Sequence, residues 1–151
     1  MREIKFRAWD ESTHSMCELV KWKLRDGEVE LLYDNHSDLA PTRQTNGPFF
    51  RDIERVILMQ YTGLKDKNGK EIYEGDIVRM TTSAKGIDKI WVEIFPVVWG
   101  EYNDGEYVNN VQCWMVDTTP LSESGSSETY GHGKIEVEGI GNIYENPELL
   151  K

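Results

Sequence analysis

The chain has 151 residues, of which 38% are hydrophobic and 11% aromatic, a composition that excludes global disorder and suits one domain or two very small ones. Its net charge of −10 is uneven, because residues 1–80 carry 13 basic and 15 acidic side chains whereas residues 81–151 carry 4 and 12. Since a protein that binds nucleic acid displaces phosphate counterions with a basic surface, the second half argues against that class and favours solubility or a basic protein partner.

The first third of the chain predicts β-strands, because apolar and charged residues alternate there with a period of two. Residues 4–8 follow this pattern, and residues 20–25 and 28–33 follow it on either side of Asp26–Gly27. Aspartate and glycine both tolerate the positive φ of a type I′ turn, so we predict an antiparallel hairpin closed by these two residues. The register places Leu24 opposite Val29, Trp22 opposite Leu31, Val20 opposite Tyr33, Arg25 opposite Glu28 and Lys23 opposite Glu30.

The middle of the chain predicts a long loop, a strand and a tight turn. Residues 34–52 are rich in turn-forming residues and predict an exposed loop anchored by Phe49–Phe50. Residues 53–61 predict a buried strand or the end of a short helix, and the length of the apolar run favours the strand. Asp66–Gly69 predicts a type I turn with Gly69 in the left-handed conformation, because a two-residue Asn-Gly loop would place like charges opposite each other.

The second half continues the β pattern and ends in a short helix. Pro96 predicts a bend or a bulge in a long apolar strand, because proline lacks the ladder donor. Residues 118–133 predict a mobile loop from their serine, threonine and glycine content. Asn146 and Pro147 predict the N-cap and the first residue of a terminal helix. Strands are predicted at residues 77–80, 90–99, 106–108, 111–116 and 134–138.

Three segments of the chain resemble the YopX family of phage and prophage proteins. They occur in the same order as in the family and cover both ends and the middle of the chain. The stretches 11–56 and 80–138 show no such resemblance. The segments are IKFRAWD at residues 4–10, QYTGLKDKNGKEIYEGDIV at residues 60–78 and IGNIYENPELL at residues 140–150.

The resemblance implies an origin in phages or prophages of Gram-positive bacteria and a β-rich fold in which an SH3-like barrel follows the central segment. It implies no catalytic or binding residues, since none are established for the family. With the strand pattern, it predicts a mainly β protein of small antiparallel sheets or a barrel, with a short C-terminal helix. The predicted parts are an N-terminal β subdomain at residues 1–58 and the SH3-like domain at residues 59–151, or one compact unit.

No group of residues in the sequence has the spacing of a catalytic or metal site. His14, His36 and His132 lie in or next to predicted loops, and none is three or four residues from another histidine or a cysteine. Cys17 and Cys113 have neither metal-type nor redox-type spacing and predict buried thiols. We therefore predict no catalytic, cofactor-binding or metal-binding residue and no enzymatic activity.

Two hypotheses about function remain open at this stage. The leading one is a phage-encoded accessory protein that binds a host or phage protein, with the loops at residues 34–52 and 118–133 as the variable surface. The alternative is a nucleic-acid-associated protein of phage replication or regulation, for which Lys65, Lys67 and Lys70 form a small basic tip. The sequence has no signal-peptide core and no apolar run of membrane-spanning length, so we expect a cytoplasmic location, and it leaves homo-oligomerisation open.

Overall fold

The computed structural model describes residues 3–23, 28–33, 49–83, 90–102, 111–116, 119–120 and 135–151. Within these ranges the protein is almost entirely β, and its helical residues form two short 3-10 segments, η1 (Ile53–Arg55) and η2 (Pro147–Leu150). The prediction of a mainly β fold is therefore confirmed. The strands are β1 (Phe6–Asp10), β2 (Ser15–Lys23), β3 (Glu28–Tyr33), β4 (Phe49–Asp52), β5 (Val56–Lys65), β6 (Glu71–Tyr73), β7 (Asp76–Ser83), β8 (Ile90–Tyr102), β9 (Val111–Val116), β10 (Thr119–Pro120) and β11 (Ile135–Asn142).

The strands form two antiparallel sheets. The first has the order β4-β3-β2-β1-β5-β6, and the second has the order β10-β9-β8-β7-β11. The chain divides into two compact units, an N-terminal unit (Ile4–Gln60) and a C-terminal unit that consists chiefly of Tyr61–Lys151. The chain passes from one unit to the other within β5. The SH3-like character of the second part stays a prediction.

The core of the N-terminal unit comes from alternate positions of β1, β2 and β3. Ala8, Cys17, Val29, Leu31 and Val56 form one buried cluster. Each of these residues lies on the face of its strand that points inward, as period-two alternation requires. Partly buried side chains that pack against the cluster are Leu19, Ile53 and Leu58.

The β2–β3 hairpin is antiparallel as predicted, but its predicted register is wrong. Val29 pairs with Trp22 rather than Leu24, and Lys23 pairs with Glu28 rather than Glu30. Four residues therefore separate the two strands instead of two, and the predicted turn at Asp26–Gly27 lies outside the described residues. A shift of two positions preserves the alternation of apolar and charged pairs, so the apolar pattern could not distinguish the two registers.

A β-bulge accounts for the remaining mismatch in this hairpin. The register shifts between Leu19, which opposes Leu31, and Lys21, which opposes Glu30. Residues two apart share a face of a regular strand, so without the extra residue Lys21 would point into the core with Leu19. The bulge turns Lys21 to the exposed side, and beyond it Tyr33 opposes Cys17 rather than Val20.

The C-terminal unit is an antiparallel meander of β7, β8 and β9, with β11 paired to the other side of β7. Its buried cluster draws on every one of these strands and on β6. The members are Ile72, Val78, Val97, Trp114, Val116 and Val137, with Leu64 and Phe95 packed against them.

Strand β8 is longer than predicted and changes its neighbour at Pro96. Residues 90–96 pair with β7, and residues 97–102 pair with β9. The β7–β8 register runs without a shift through the pair of Pro96 with Ile77, so no bulge occurs there. Proline is tolerated because the Val97 carbonyl accepts the N–H of Gly75, so the nitrogen of the preceding residue points away from β7 and no ladder donor is lost.

Several predicted loops and turns are corrected or confirmed. Residues 49–52 form β4 rather than the end of a loop, and Thr119–Pro120 form a two-residue strand within the predicted loop 118–133. Residues 34–48, 106–108 and 121–133 lie outside the described residues. The run 53–61 opens with η1 and continues as β5. The type I turn is confirmed, because Gly69 has φ +83° and donates its N–H to the Asp66 carbonyl at 2.9 Å.

The terminal helix differs from its prediction in type and in capping. It is a 3-10 segment that begins with Pro147, and Asn146 makes no side-chain cap bond. Instead, the Oδ1 atom of Asn146 accepts the N–H of Asn142 at 3.3 Å. The asparagine therefore joins η2 back to β11 rather than satisfying the first N–H groups of the helix.

Candidate interaction surface

Strand β8 presents large apolar side chains to solvent on one face. Phe95 and Val97 point to the opposite face and belong to the core of the C-terminal unit. Both faces of residues 90–99 carry apolar side chains, and Val97 among them is fully buried. We call the exposed row the β8 stripe; it comprises Ile90 (67% exposed), Val92 (55%), Ile94 (37%) and Val98 (43%).

The neighbours of the stripe on β7 are polar, with Ser83 opposite Ile90 and Thr81 opposite Val92. Ile94 opposes Arg79 on β7, and Arg79 opposes Glu138 on β11. Glu138 accepts ion pairs from Lys67 Nζ at 2.9 Å and from Arg79 Nη1 at 3.5 Å. The hydrogen bond from Lys67 is the main reason why the pKa of Glu138 lies below its usual value. An apolar row beside a polar rim is the usual composition of a protein-binding surface.

The chain's own C-terminal segment closes the other end of this face. Ile77 of β7 opposes Pro96 and is fully buried, although it lies on the same sheet face as the stripe. Its partner on β11 is Gly141, where an added Cβ would lie 2.7 Å from Asn146 Oδ1 and 2.8 Å from Leu149 Cδ1. The segment η2 also contacts β8. The face is therefore closed around Ile77 and open from Ile94 to Ile90.

The central family segment places a buried carboxylate in the β5–β6 turn. Asp66 Oδ1 accepts the N–H groups of Asn68 at 2.8 Å and Lys70 at 2.9 Å, and Oδ2 accepts that of Gly139 at 3.1 Å. Burial alone would raise the pKa of Asp66, but these hydrogen bonds outweigh it and hold the pKa below its usual value. The side chain fixes the turn and attaches it to β11.

The C-terminal family segment uses a buried amide in the same way. Asn142 Nδ2 donates to the Gly75 carbonyl at 2.9 Å, and its Oδ1 accepts the N–H of Tyr144 at 3.0 Å. Gly75 has φ +75°, and its carbonyl also accepts the N–H of Ile143 at 2.9 Å. Asn142 therefore joins the turn before β7 to the turn after β11.

The N-terminal family segment ends in a third buried polar group. Asp10 Oδ2 accepts Arg51 Nε on β4 at 2.9 Å, and Oδ1 accepts the backbone and side-chain donors of Ser12. Burial opposes these contacts, but together they lower the pKa of Asp10. Sequence reasoning placed Asp66 at the start of a turn, but it assigned no buried contact to Asp66, Asp10 or Asn142.

The residues considered for chemistry remain apart. His14 lies in the turn after β1 with φ +53° and packs edge-on against Trp9, at 6.2 Å between ring centroids. Cys17 is buried in one core, whereas Cys113 is only partly buried, and burial raises the pKa of its thiol. Among the residues that the structure describes, no three histidine, cysteine or acidic side chains group as metal ligands, and no helix has the length and apolar character to cross a membrane. His36 and His132 lie outside these residues.

The basic tip of the alternative hypothesis is partly neutralised. Lys67 forms the ion pair with Glu138, and Lys65 lies opposite Glu71 in the β5–β6 register. Lys21 likewise lies opposite Glu30. Opposite charges beside these lysines reduce the positive potential that a phosphate backbone would meet.

Comparison with known proteins agrees with this architecture. The sequence model of the family described as YopX protein matches residues 5–151. Among solved structures, the chain is similar to the crystal structure of protein EF1440 from Enterococcus faecalis, with 25% identity and a TM-score of 0.54 over 100% of both chains. No curated protein matches the chain at a significant level. The family match covers nearly the whole sequence, and the chain therefore belongs to the YopX family.

Proposed function

We propose that this protein acts by binding another protein through the β8 stripe, as an accessory protein encoded by a phage or prophage and working in the bacterial cytoplasm. One observation carries the proposal: Ile90, Val92 and Ile94 stand exposed at alternate positions of a single strand, and Val98 is exposed beyond Pro96. Contiguous exposed apolar surface on a small protein is typical of interaction sites. The strand is held on both sides of Pro96 by neighbouring strands, so the stripe is preorganised for binding.

The charge of the chain favours a basic partner. Residues 81–151, which include β8, carry 12 acidic and 4 basic side chains. Opposite charge around an apolar centre speeds association and orients the partner, whereas like charge opposes it. A positively charged protein therefore complements this half of the chain better than an acidic one or a nucleic acid.

The proposal is tested by affinity capture with the wild-type chain and the Val92→Lys variant. Capture is carried out from phage-infected bacterial cells, with and without nuclease treatment. Val92 is 55% exposed, so the variant should fold normally while placing a charge in the centre of the stripe. The matched control is Ile4→Lys, the same type of change at an apolar residue that is 76% exposed in the N-terminal unit.

We expect a nuclease-resistant partner that the wild type and Ile4→Lys retain and that Val92→Lys loses. A partner that all three chains capture equally would contradict the assignment to the stripe. A set of proteins that disappears on nuclease treatment would instead favour the nucleic-acid hypothesis.

A further inference from the structure

Within the described residues, the part of the β8 stripe from Ile90 to Ile94 coincides with an open sheet edge. Residues 90–96 pair with β7 on one side, and in the described ranges no strand pairs with their other side. The carbonyl of Val97 accepts the N–H of Gly75 at 2.9 Å, so the backbone groups of Val97 face β7. Successive residues of a strand direct their N–H and C=O groups to opposite sides. The backbone groups of Ile94, Val92 and Ile90 therefore point away from β7, toward the open side.

Natural sheets usually protect such an edge. Lysine, proline or a bulge within the edge strand discourages pairing with another chain. The segment Ile90–Phe95 contains one charged residue, Glu93, and its register with β7 is regular throughout. Its only neighbouring proline, Pro96, comes after the segment. Among the described residues, the edge from Ile90 to Phe95 thus carries none of these three devices and can template a further strand.

We infer that the partner binds by adding an extended segment as a new strand along Ile90–Ile94. This inference rests on the proposed function and specifies how the partner is recognised. Main-chain hydrogen bonds to the open edge supply affinity, and side chains at alternate positions of the added strand pack on the stripe. Ile90, Val92 and Ile94 each contribute both a free backbone edge and an exposed apolar side chain.

The acidic surroundings specify the chemistry of that segment. Glu93 is exposed on β8 itself, between Val92 and Ile94, and residues 81–151 carry 12 acidic and 4 basic side chains. A second copy of the chain has the same net charge of −10, and like charges oppose association. The added strand is therefore apolar at alternate positions and basic at the positions between them.

The test uses synthetic peptides and the full chain. The basic probe is a heptapeptide of alternating lysine and valine, and the acidic probe replaces each lysine with glutamate. Two further basic probes carry N-methyl groups on alternate amides. One probe is methylated on the amides of one edge of the peptide, and the other probe is methylated on those of the opposite edge. Binding is measured by fluorescence anisotropy with the wild type, Val92→Lys and the Ile4→Lys control.

We expect the basic probe to bind at least about tenfold more tightly than the acidic probe. The affinity of the basic probe should fall when the salt concentration is raised. One methylated probe should bind about as well as the parent, while the other loses about tenfold or more because its bonding amides are blocked. The Val92→Lys variant should no longer bind the basic probe, whereas the Ile4→Lys variant should bind it as the wild type does.

Three results would overturn strand addition. Equal binding by both methylated probes would indicate side-chain contacts alone, and the proposed function would then stand without this inference. No binding by the basic probe at roughly 1 mM, the weak end of specific affinity, would exclude the stated chemistry. Sedimentation that shows a wild-type dimer absent in Val92→Lys would assign the edge to a second copy.

Discussion

The sheet face that carries the β8 stripe has two halves, one covered by other parts of the chain and one exposed. Around Ile77 the face is closed by the Gly75 turn, Asn142 and η2, whereas from Ile94 to Ile90 it is open and apolar. The closed half is built by residues 60–78 and 140–150, two of the segments that carry the family resemblance. The open half lies in residues 80–138, where no such segment occurs. The three segments that carry the resemblance thus build the scaffold, and the proposed binding surface lies between them in the chain.

The buried polar groups described above in the three family segments serve the scaffold. Asp10, Asp66 and Asn142 are all buried, and all are occupied by hydrogen bonds to backbone or side-chain donors and acceptors. A buried polar group that is fully hydrogen-bonded specifies one arrangement of its turn, because any other arrangement leaves it unpaired. We expect substitutions in the closed half to lower stability and substitutions in the open half to lower binding.

Replacement of Asn142 by alanine should give the largest loss of stability. It removes the bonds to the Gly75 carbonyl and the Tyr144 N–H and leaves a cavity, so we expect unfolding free energy to fall by about 3 kcal/mol. Urea denaturation measures the change. Glu148→Ala, at an exposed residue of η2, is the control and should stay within about 0.5 kcal/mol of the wild type. A similarly small change in Asn142→Ala would mean that this amide does not hold the closed half.

Gly141→Ala should destabilise the chain by about 1–3 kcal/mol through overpacking. Its Cβ would meet Asn146 and Leu149 at distances well inside van der Waals contact. Gly139→Ala in the same strand is a matched control, because its nearest neighbour would be Asp66 Oδ2 at an ordinary 3.8 Å. Thermal denaturation of the two variants separates a steric effect of η2 from a general cost of removing glycine from β11. Equal melting temperatures would show that η2 does not close the face at Gly141.

The turn carboxylate should make stability depend on acid pH. The folded-state pKa of Asp66 is lowered, so its contribution is present above the unfolded value of about 3.9 and is lost as the pH falls toward the folded value. Asp66→Asn should be less stable by about 1 kcal/mol at neutral pH, because the amide cannot accept all three N–H groups. The difference from the wild type should shrink on acidification, which urea denaturation at several pH values would measure. A difference independent of pH would contradict the role of the charge.

Val92→Lys should change stability least, by no more than about 0.5 kcal/mol, since the side chain is already largely exposed. Its effect should appear in binding alone. Urea denaturation of the same preparation used for capture provides the check. A loss of several kcal/mol would mean that the stripe supports the fold, and the comparison between the halves would fail.

The strand pattern was predictable from the sequence, whereas registers and long-range polar contacts were not. Period-two alternation identified β2 and β3 and their faces, but a shift of two residues preserves that alternation, and the bulge after Leu19 leaves no signal in composition. Asn142 contacts Gly75 across 67 positions of the chain, which no local pattern reveals. The turn at Gly69 was predictable because the competing register placed like charges opposite each other.

The exposure of the β8 stripe was also beyond the sequence. An apolar run is typical of a strand buried on both faces, and residues 90–99 have that composition. Which face is covered depends on where η2 packs, and η2 packs against Gly141, the partner of Ile77. The candidate surface therefore became visible only once the position of the C-terminal segment was known.

Amide hydrogen exchange along β8, with and without the captured partner, tests the central claim most directly. In the free protein, the amides of Val92 and Ile94 should exchange fast, and those of Glu93 and Phe95 should be protected by β7. With the partner bound, Val92 and Ile94 should become protected, while the already slow amides of the closed half stay unchanged. Fast exchange at Val92 and Ile94 in the complex, with new protection only elsewhere in the chain, would contradict the account.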